Sequence, residues 1–217
     1  MKKILFSLSL ILLLYPLQPS QAFFQASSST TSSTSKIIYL TFDDGPNNTT
    51  HIQILDTLKK FNVKATFFLT GQHAEEYPDI VQQTAKDGHA IGNHSYSHPN
   101  LLRLKPDEIE YQIKHTNEIL KPLIYNQSIT VFRAPYGYSN KFIRTYAQNQ
   151  GMKQYRWTLD VVDWSHASTS TIVNRTVSRA QPGSVVLMHS VQQVTADALP
   201  TILTKLKAEG YSFDVLR

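Results

Sequence analysis

Short apolar runs alternate with longer segments of helical periodicity along most of this 217-residue chain. Runs rich in β-branched and aromatic residues predict strands at 37–44, 63–69, 89–92, 129–133, 154–161, 184–188 and around 213. Apolar residues at helical spacing, bounded by Pro and Gly, predict helices at 52–61, 78–88, 106–120, 140–151, 171–180 and 196–209. This order is typical of an α/β fold with about seven βα units and a parallel sheet.

We expect that sheet to close into a small barrel. A full eightfold (β/α) barrel usually takes about 250 residues, whereas about 180 are available after residue 35. The sequence therefore predicts a single domain with a distorted or incomplete (β/α) barrel of about seven strands. An open doubly wound sheet is the alternative, but the Gly-rich phosphate turn of that fold is missing.

The N-terminal residues have the layout of a secretory signal. Lys2 and Lys3 precede an apolar run that ends near Leu17, and Ser20 and Ala22 suit cleavage after Ala22. We predict a signal peptide at 1–22, a disordered Ser/Thr-rich leader at 23–35 and a folded domain at 36–217. The protein is then secreted, periplasmic or associated with the cell envelope. The apolar run is shorter than the roughly 18 residues of a membrane span, so no stable membrane insertion is expected; an uncleaved anchor is the alternative.

The composition limits the cross-links and binding partners that we expect for this chain. The chain has no cysteine, which excludes a disulfide and a lipid anchor on cysteine. Removal of residues 1–22 takes away two lysines and no acid, so the net charge of +5 becomes +3. No Lys/Arg cluster resembles a nucleic-acid patch, and we expect a monomer without a nucleic-acid partner.

Residues with chemical potential follow one predicted strand after another. In a βα barrel the working groups lie at the carboxyl ends of strands. The first strand ends in Asp43 and Asp44, followed by a Gly-Pro turn. On an extended segment these carboxylates point in different directions, so one can bind a metal while the other handles a proton. An Asp-Gly turn with a solvated carboxylate is the alternative.

Two histidines after the third strand complete a possible metal site. His94 and His98 are four residues apart, a spacing that suits metal ligands. With Asp44 they would form a His2Asp set that leaves positions open for water and substrate, as in a catalytic site.

Three further strand ends carry weaker signals. Arg133 precedes Pro135-Tyr136-Gly137, where an arginine can clamp a carboxylate and a turn can present a backbone N–H to an oxyanion. Asp160 to Trp164 brings acids and a large aromatic together, and Leu187 and His189 end a buried strand. Each alone has an ordinary structural explanation, such as a surface arginine, core packing or a structural histidine.

The five groups in this order resemble the polysaccharide deacetylase family, also called the NodB-homology domain or carbohydrate esterase family 4. The resemblance runs from Ile38 to Leu216. It implies a distorted (β/α) barrel and a divalent metal, most commonly Zn²⁺ with Co²⁺ possible, held by Asp44, His94 and His98.

The resemblance also implies a role for each remaining residue. Asp43 corresponds to the catalytic base, oriented by Arg133, and His189 to the catalytic acid, partnered by Asp163. Tyr136 offers its backbone N–H to the oxyanion, and Trp164 and Leu187 line the pocket for the acetyl methyl. One position departs from the pattern: Ser190 stands where family members often carry an acid, which affects substrate details near His189.

The implied activity is hydrolysis of the acetamide of N-acetylglucosamine units in an N-acetylated glycan, releasing acetate. Peptidoglycan is favoured, and a chitin-like oligomer is the other candidate; members acting on N-acetylmuramic acid often replace the residue at Asp44. An O-acetyl esterase acting on a polysaccharide such as acetylated xylan, or a non-catalytic glycan-binding module, are the alternatives.

Overall fold

The computed structural model describes residues 36–125 and 127–217. The predicted signal peptide at 1–22 and leader at 23–35 lie outside the described residues. The strands are β1 (Lys36–Asp44), β2 (Thr66–Leu69), β3 (Ala90–Asn93), β4 (Val131–Phe132), β5 (Lys153–Gln154), β6 (Leu159–Asp160), β7 (Val185–His189) and β8 (Tyr211–Phe213). The helices are α1 (Thr50–Lys60), α2 (Gly71–Glu76), α3 (Pro78–Lys86), α4 (Pro106–Leu120), α5 (Lys141–Asn149), α6 (Thr169–Arg179) and α7 (Gln193–Ala208).

The strands form one curled parallel sheet in the order β5-β4-β3-β2-β1-β7-β6. Strand β8 pairs in parallel with the first residues of β1, while β7 pairs with the later ones. Within the described residues no pairing joins β5 to β6, so hydrogen bonds do not close the barrel. The distorted (β/α) barrel predicted from the sequence is confirmed, and the doubly wound alternative is not what forms.

The strand predicted at 154–161 is two short strands instead. Its beginning pairs with β4 as β5, and its end pairs with β7 as β6. Between them, the backbone N–H of Tyr155 still donates to Phe132 at 2.8 Å and that of Thr158 donates to Val185 at 3.0 Å, so the segment passes from the β4 side to the β7 side of the open barrel. Eight strands are therefore described, one more than about seven.

Strand β1 lies at the centre of the fold and sorts its side chains to two sides. Ile38, Leu40 and Phe42 are fully buried in the main apolar core, which includes Ile54 and Leu58 of α1. Each such side chain contributes about 1.5–3 kcal/mol when removed from water. The alternate residues face the barrel interior, which places Asp43 there.

The helices that cover the sheet match the predicted periodicity best where they are long. Helix α4 has the predicted bounds and buries Ile109, Ile113 and Leu120. At the start of α1, Asn47 Oδ1 accepts from the backbone N–H of His51 at 3.0 Å, and Thr49 makes no side-chain capping hydrogen bond. In the described part of the chain, no helix is long and apolar enough to span a bilayer.

Candidate active site

The residues singled out in the sequence surround one cavity of about 510 Å³ at the carboxyl ends of the strands, called here the reaction cavity. Its lining includes Asp43, Asp44, His94, His98, Tyr136, Trp164, Leu187 and His189. Arg133 and Asp163 are buried behind the lining and bind Asp43 and His189 respectively. Parallel strands bring these residues together because all their carboxyl ends meet at the same edge.

Asp44, His94 and His98 converge on a point suited to a metal ion. Asp44 Oδ1 lies 3.5 Å from His94 Nε2 and 3.4 Å from His98 Nε2. Ligand atoms of all three lie within 4.8 Å of one another. Asp44 Oδ1 is buried and has no hydrogen-bond partner in the described part of the chain. A buried carboxylate oxygen without a donor is unfavourable unless a cation is bound, so the residues fit a divalent metal.

The two imidazoles are prepared for such a cation. His94 Nδ1 lies 2.8 Å from the carbonyl oxygen of Arg133, to which it donates, so Nε2 keeps its lone pair toward Asp44. Burial, followed by the nearby His94, lowers the pKa of His98 despite the opposing charges of Asp44 and Asp43. A neutral imidazole is the form that ligates metal.

The backbone at Asp44 explains how adjacent carboxylates take different directions. Asp44 has a φ of 77°, in the left-handed region that non-glycine residues rarely adopt. Its carbonyl oxygen accepts from Thr70 Oγ1 at 3.0 Å and from His73 Nδ1 at 3.2 Å. These contacts hold the predicted turn after β1, and both donors come from the segment after β2. The left-handed backbone at Asp44 was not predicted.

Asp43 lies against a buried arginine. Arg133 Nη1 donates to Asp43 Oδ1 at 2.7 Å and to Thr41 Oγ1 at 2.8 Å. The guanidinium is fully buried, with its Cζ 4.1 Å from the centre of the Phe68 ring. Burial lowers the pKa of Arg133, while the Asp43 charge opposes that change. Arg133 therefore fixes one oxygen of Asp43, and Oδ2 lies 3.6 Å from His94 Nε2.

His189 and Asp163 form a second charged pair, with His189 next to Asp43 in the sheet, on the neighbouring strand β7. His189 Nδ1 lies 2.7 Å from Asp163 Oδ1, and the backbone N–H of His189 donates to Asp163 Oδ2 at 2.7 Å. Burial disfavours the imidazolium, but the hydrogen bond and charge of Asp163, helped by Asp43 and Asp44, raise the pKa of His189 to about 9. His189 is therefore protonated at neutral pH, with Nδ1 bound to Asp163 and Nε2 as the nitrogen that can donate to a ligand.

Exposed aromatic residues form the rim. Tyr136 and Trp164 are each 56% exposed, and the Tyr136 ring lies 4.6 Å from that of His98. Tyr136 has a φ of 59°, so the Pro135–Gly137 turn is held in an uncommon conformation at the cavity mouth. Val162, next to Asp163, has a φ of 57°, which is costly for a β-branched residue. Uncommon backbone conformations thus cluster around the reaction cavity, as is frequent at functional sites.

Sequence reasoning missed several residues of the site. Tyr138, Trp157 and Gln192 also line the cavity. Thr195 donates from its hydroxyl to Asp163 Oδ2. Tyr138 lies two residues from a predicted motif and is aromatic, a signal that was available, whereas Trp157 and Thr195 are brought in by tertiary packing alone.

Comparison with known proteins places the chain in a family. The family model described as polysaccharide deacetylase matches residues 30–155. The chain is 44% identical over 183 residues to the peptidoglycan-N-acetylglucosamine deacetylase of Bacillus cereus, covering 82% of this chain and 66% of that protein. It is 40% identical over 176 residues to the peptidoglycan-N-acetylmuramic acid deacetylase PdaC of Bacillus subtilis, covering 81% of this chain and 37% of that protein. The chain thus spans less than two thirds of the length of either relative.

A solved structure supports the same family. The crystal structure of the Bc1960 peptidoglycan N-acetylglucosamine deacetylase matches with a TM-score of 0.81 and 42% identity, covering 84% of this chain and 87% of that chain. The chain belongs to the polysaccharide deacetylase family, as its ordered motifs predicted.

Proposed function

We propose that this protein is a metal-dependent N-deacetylase that hydrolyses the acetamide of N-acetylglucosamine units in peptidoglycan and releases acetate. The observation that carries the proposal is the meeting, in one cavity, of the Asp44, His94 and His98 triad with two separate proton-handling pairs. Exported by the predicted signal peptide, the enzyme would act at the cell envelope.

Asp44, His94 and His98 would hold the metal, and their mixed N and O donors suit Zn²⁺, with Co²⁺ as a substitute. When bound, such a cation polarises a carbonyl oxygen and lowers the pKa of water toward neutrality. Three protein ligands leave positions open for water and substrate, as in other catalytic metal sites.

The chain's own residues handle the protons. Asp43 accepts the proton of the attacking water as the new C–O bond forms, and Arg133 keeps its other oxygen fixed. His189 then donates its proton to the glucosamine nitrogen as the C–N bond breaks, which gives acetate and a free amine. Asp163 keeps His189 oriented and protonated until that step.

The remaining cavity residues would position the acetyl group. The backbone N–H of Tyr136 would donate to the oxyanion, which is worth about 2.7–4 kcal/mol in other hydrolases. Trp164 and Leu187 would enclose the methyl, consistent with their position on the cavity lining.

Similarity alone does not choose the sugar, because the relatives named above act on N-acetylglucosamine in one case and on N-acetylmuramic acid in the other. The presence of Asp44 among the proposed metal ligands supports N-acetylglucosamine. The test is acetate release over a panel of peptidoglycan, chitooligosaccharides, β-1,6-linked glucosamine polymer and acetylated xylan. Release from the amide substrates supports the proposal, whereas release from acetylated xylan alone would identify an esterase.

Metal dependence is tested on the same substrates. Dialysis against a strong chelator should abolish acetate release, and added Zn²⁺ or Co²⁺ should restore it. Full activity in protein shown by mass spectrometry to hold no metal would refute the metal role.

A further inference from the structure

The end of the barrel opposite the reaction cavity carries a concentration of positive charge. Because the strands pair in parallel, each helix that leads into a strand ends at the amino ends of the strands. We call this surface the amino-end face; it comprises the last turns of these helices, the loops that follow, and the first two residues of the next strands and of β1. Its lysine and arginine side chains are all exposed, and they are Lys36, Lys59, Lys60, Lys64, Lys86, Lys121, Lys153, Arg179, Lys205 and Lys207.

Acidic side chains offset little of this charge. The amino-end face has three acids, Asp87, Glu118 and Glu209, against the ten bases, which leaves an excess of seven positive charges. Glu118 already lies 3.7 Å from Lys114 Nζ, which is outside the face. In the described part of the chain, none of the ten bases forms an ion pair. The positive charge of the face is therefore available to a partner.

The opposite end of the barrel has the opposite sign. We call the carboxyl-end face the segments that run from the last two residues of a strand to the first turn of the helix leading back. They carry nine acids and five bases, an excess of four negative charges. The acids are Asp43, Asp44, Glu75, Glu76, Asp79, Asp107, Glu108, Asp160 and Asp163, and the bases are Arg103, Lys105, Arg133, Lys141 and Arg144. An anionic surface would thus attract the amino-end face and repel the end that holds the reaction cavity.

The helix dipole explains only part of this pattern. Cations in the last turn of a helix interact favourably with the partial negative charge there. Six of the ten bases lie in such turns, at the ends of α1, α3, α6 and α7. Lys36, Lys64 and Lys153 instead lie on strand starts or in a loop. The charge of the amino-end face therefore exceeds what the helix dipoles account for.

Two further features favour an anionic bilayer as the partner. Tyr125, in the connection from α4 to β4 on the same face, is 62% exposed, and tyrosine is enriched at membrane–water interfaces. The described fold begins on this face at Lys36, and eighteen residues separate Lys36 from the apolar run that ends near Leu17. Eighteen residues span at most about 60 Å. The segment predicted to engage the membrane during export therefore joins the fold at its basic end.

We propose that the amino-end face docks on a bilayer rich in anionic phospholipid, by surface contact and without insertion. The bases come from seven segments around the barrel end, a distribution that suits a flat surface, where each basic side chain near the headgroups adds to the attraction. The reaction cavity then faces away from the membrane. This inference goes beyond the proposed function, and its test requires no acetate release.

The test measures partition of the full chain onto vesicles of phosphatidylglycerol with phosphatidylcholine, relative to vesicles of phosphatidylcholine alone. Residues 1–35 are the same in every variant, so a change in this ratio between variants reports the folded domain. The triple variant Lys60→Gln/Lys86→Gln/Lys121→Gln removes exposed charges at the ends of three helices. The ratio should fall at least about tenfold. Salt at about 0.5 M should remove most of the preference of the wild type.

The matched control removes the same charge from the carboxyl-end face. In Arg103→Gln/Lys105→Gln/Lys141→Gln, all three replaced side chains are exposed, and the ratio should stay within about twofold of the wild type. An equal fall in both triple variants would show that net charge alone acts, and would overturn the proposal.

Two other outcomes would also overturn it. One is a wild type that binds both kinds of vesicle equally. The other is binding to soluble poly(glycerol phosphate) without a preference for anionic vesicles, which would assign the amino-end face to an anionic wall polymer instead. Acetate release by the same protein decides the proposed function separately.

Discussion

At the scale of single residues, the site depends on keeping two neighbouring carboxylates apart. Asp43 lies on the interior side of β1 against Arg133, and the left-handed backbone at Asp44 turns the second carboxylate toward His94 and His98. A regular strand would send successive side chains to opposite faces. The turn instead keeps both carboxylates at the same cavity while giving them different partners.

Asp43→Asn tests that division of roles. The amide cannot accept the proton of water, so kcat should fall at least about 100-fold, while the metal content stays near that of the wild type. Acetate release at saturating substrate and metal analysis by mass spectrometry measure the two effects. Because Arg133 loses its buried counter-charge, the variant should also be less stable, by about 3–5 kcal/mol. Turnover within a few-fold of wild type would contradict the role of Asp43.

His189 offers a titration that requires no substrate. In the metal-free protein its imidazole should titrate near the pKa of about 9 that Asp163 supports. In Asp163→Asn the pKa of His189 should fall, because the hydrogen bond and charge of Asp163 no longer oppose burial. NMR of labelled imidazole measures both values, and equal values in the two proteins would rule out the pairing.

The raised pKa of His189 also makes the free energy of unfolding depend on pH. The folded-state pKa of about 9 lies above the ordinary value of 6.5. The stabilisation from His189 is thus complete below about pH 6.5 and is lost as the pH rises through 9. In Asp163→Asn, stability should no longer fall for this reason between pH 7 and pH 9.5. Urea denaturation at these two pH values measures the difference.

At the scale of elements, the ends of β1 and β7 are joined at Ser190. Its Oγ accepts from the backbone N–H of Gly45 at 3.2 Å and donates to the carbonyl oxygen of Asp43 at 3.2 Å. A Cβ on Gly45 would lie 2.3 Å from Ser190 Oγ and 2.7 Å from His51 Nδ1. The serine that departs from the family pattern therefore fills the space that Gly45 leaves.

Gly45→Ala should displace this junction and the Asp44 carboxylate with it. We expect a loss of about 1–3 kcal/mol in the free energy of unfolding and weaker Zn²⁺ binding, measured by urea denaturation and competition with a chelating dye. In a Ser190→Gly background the same added methyl should be less destabilising, because the nearest atom is gone. An equal loss in both backgrounds would show that the contact with Ser190 is not responsible.

The helices and strands differ in how well they could be predicted from the sequence. Helix α4 was predictable because fifteen residues between two prolines carry a full apolar stripe. Helix α2 has six residues, too few for a periodic signal, and it nevertheless supplies His73 to the Asp44 turn. The site residues on strand ends were predictable from ordered motifs, whereas Trp157 lies between β5 and β6, where only the open side of the barrel explains its place.

At the scale of the whole molecule, two buried histidines outside the site should make the folded protein less stable in acid. Both contact the ring of Phe67, with centroids 4.7 Å from His51 and 5.3 Å from His89. His51 Nδ1 and His89 Nε2 are buried without a hydrogen-bond partner among the described residues. Burial and then the neighbouring His89 lower the pKa of His51 to about 3. Burial and then Lys64, against Asp87, lower the pKa of His89 to about 4.

These lowered pKa values should destabilise the protein in acid. Between about pH 6.5 and 4 the unfolded chain takes up protons that the folded chain excludes, so stability falls as the pH falls. Each histidine should account for roughly 2 kcal/mol of the loss between pH 7 and pH 5. His51→Gln cannot titrate and keeps a donor for Thr84, which lies 3.0 Å from His51 Nε2. Urea denaturation should therefore show a loss of stability between pH 7 and pH 5 that is smaller by about that amount in His51→Gln than in the wild type. A loss of the same size in both proteins would show that His51 does not cause the destabilisation in acid.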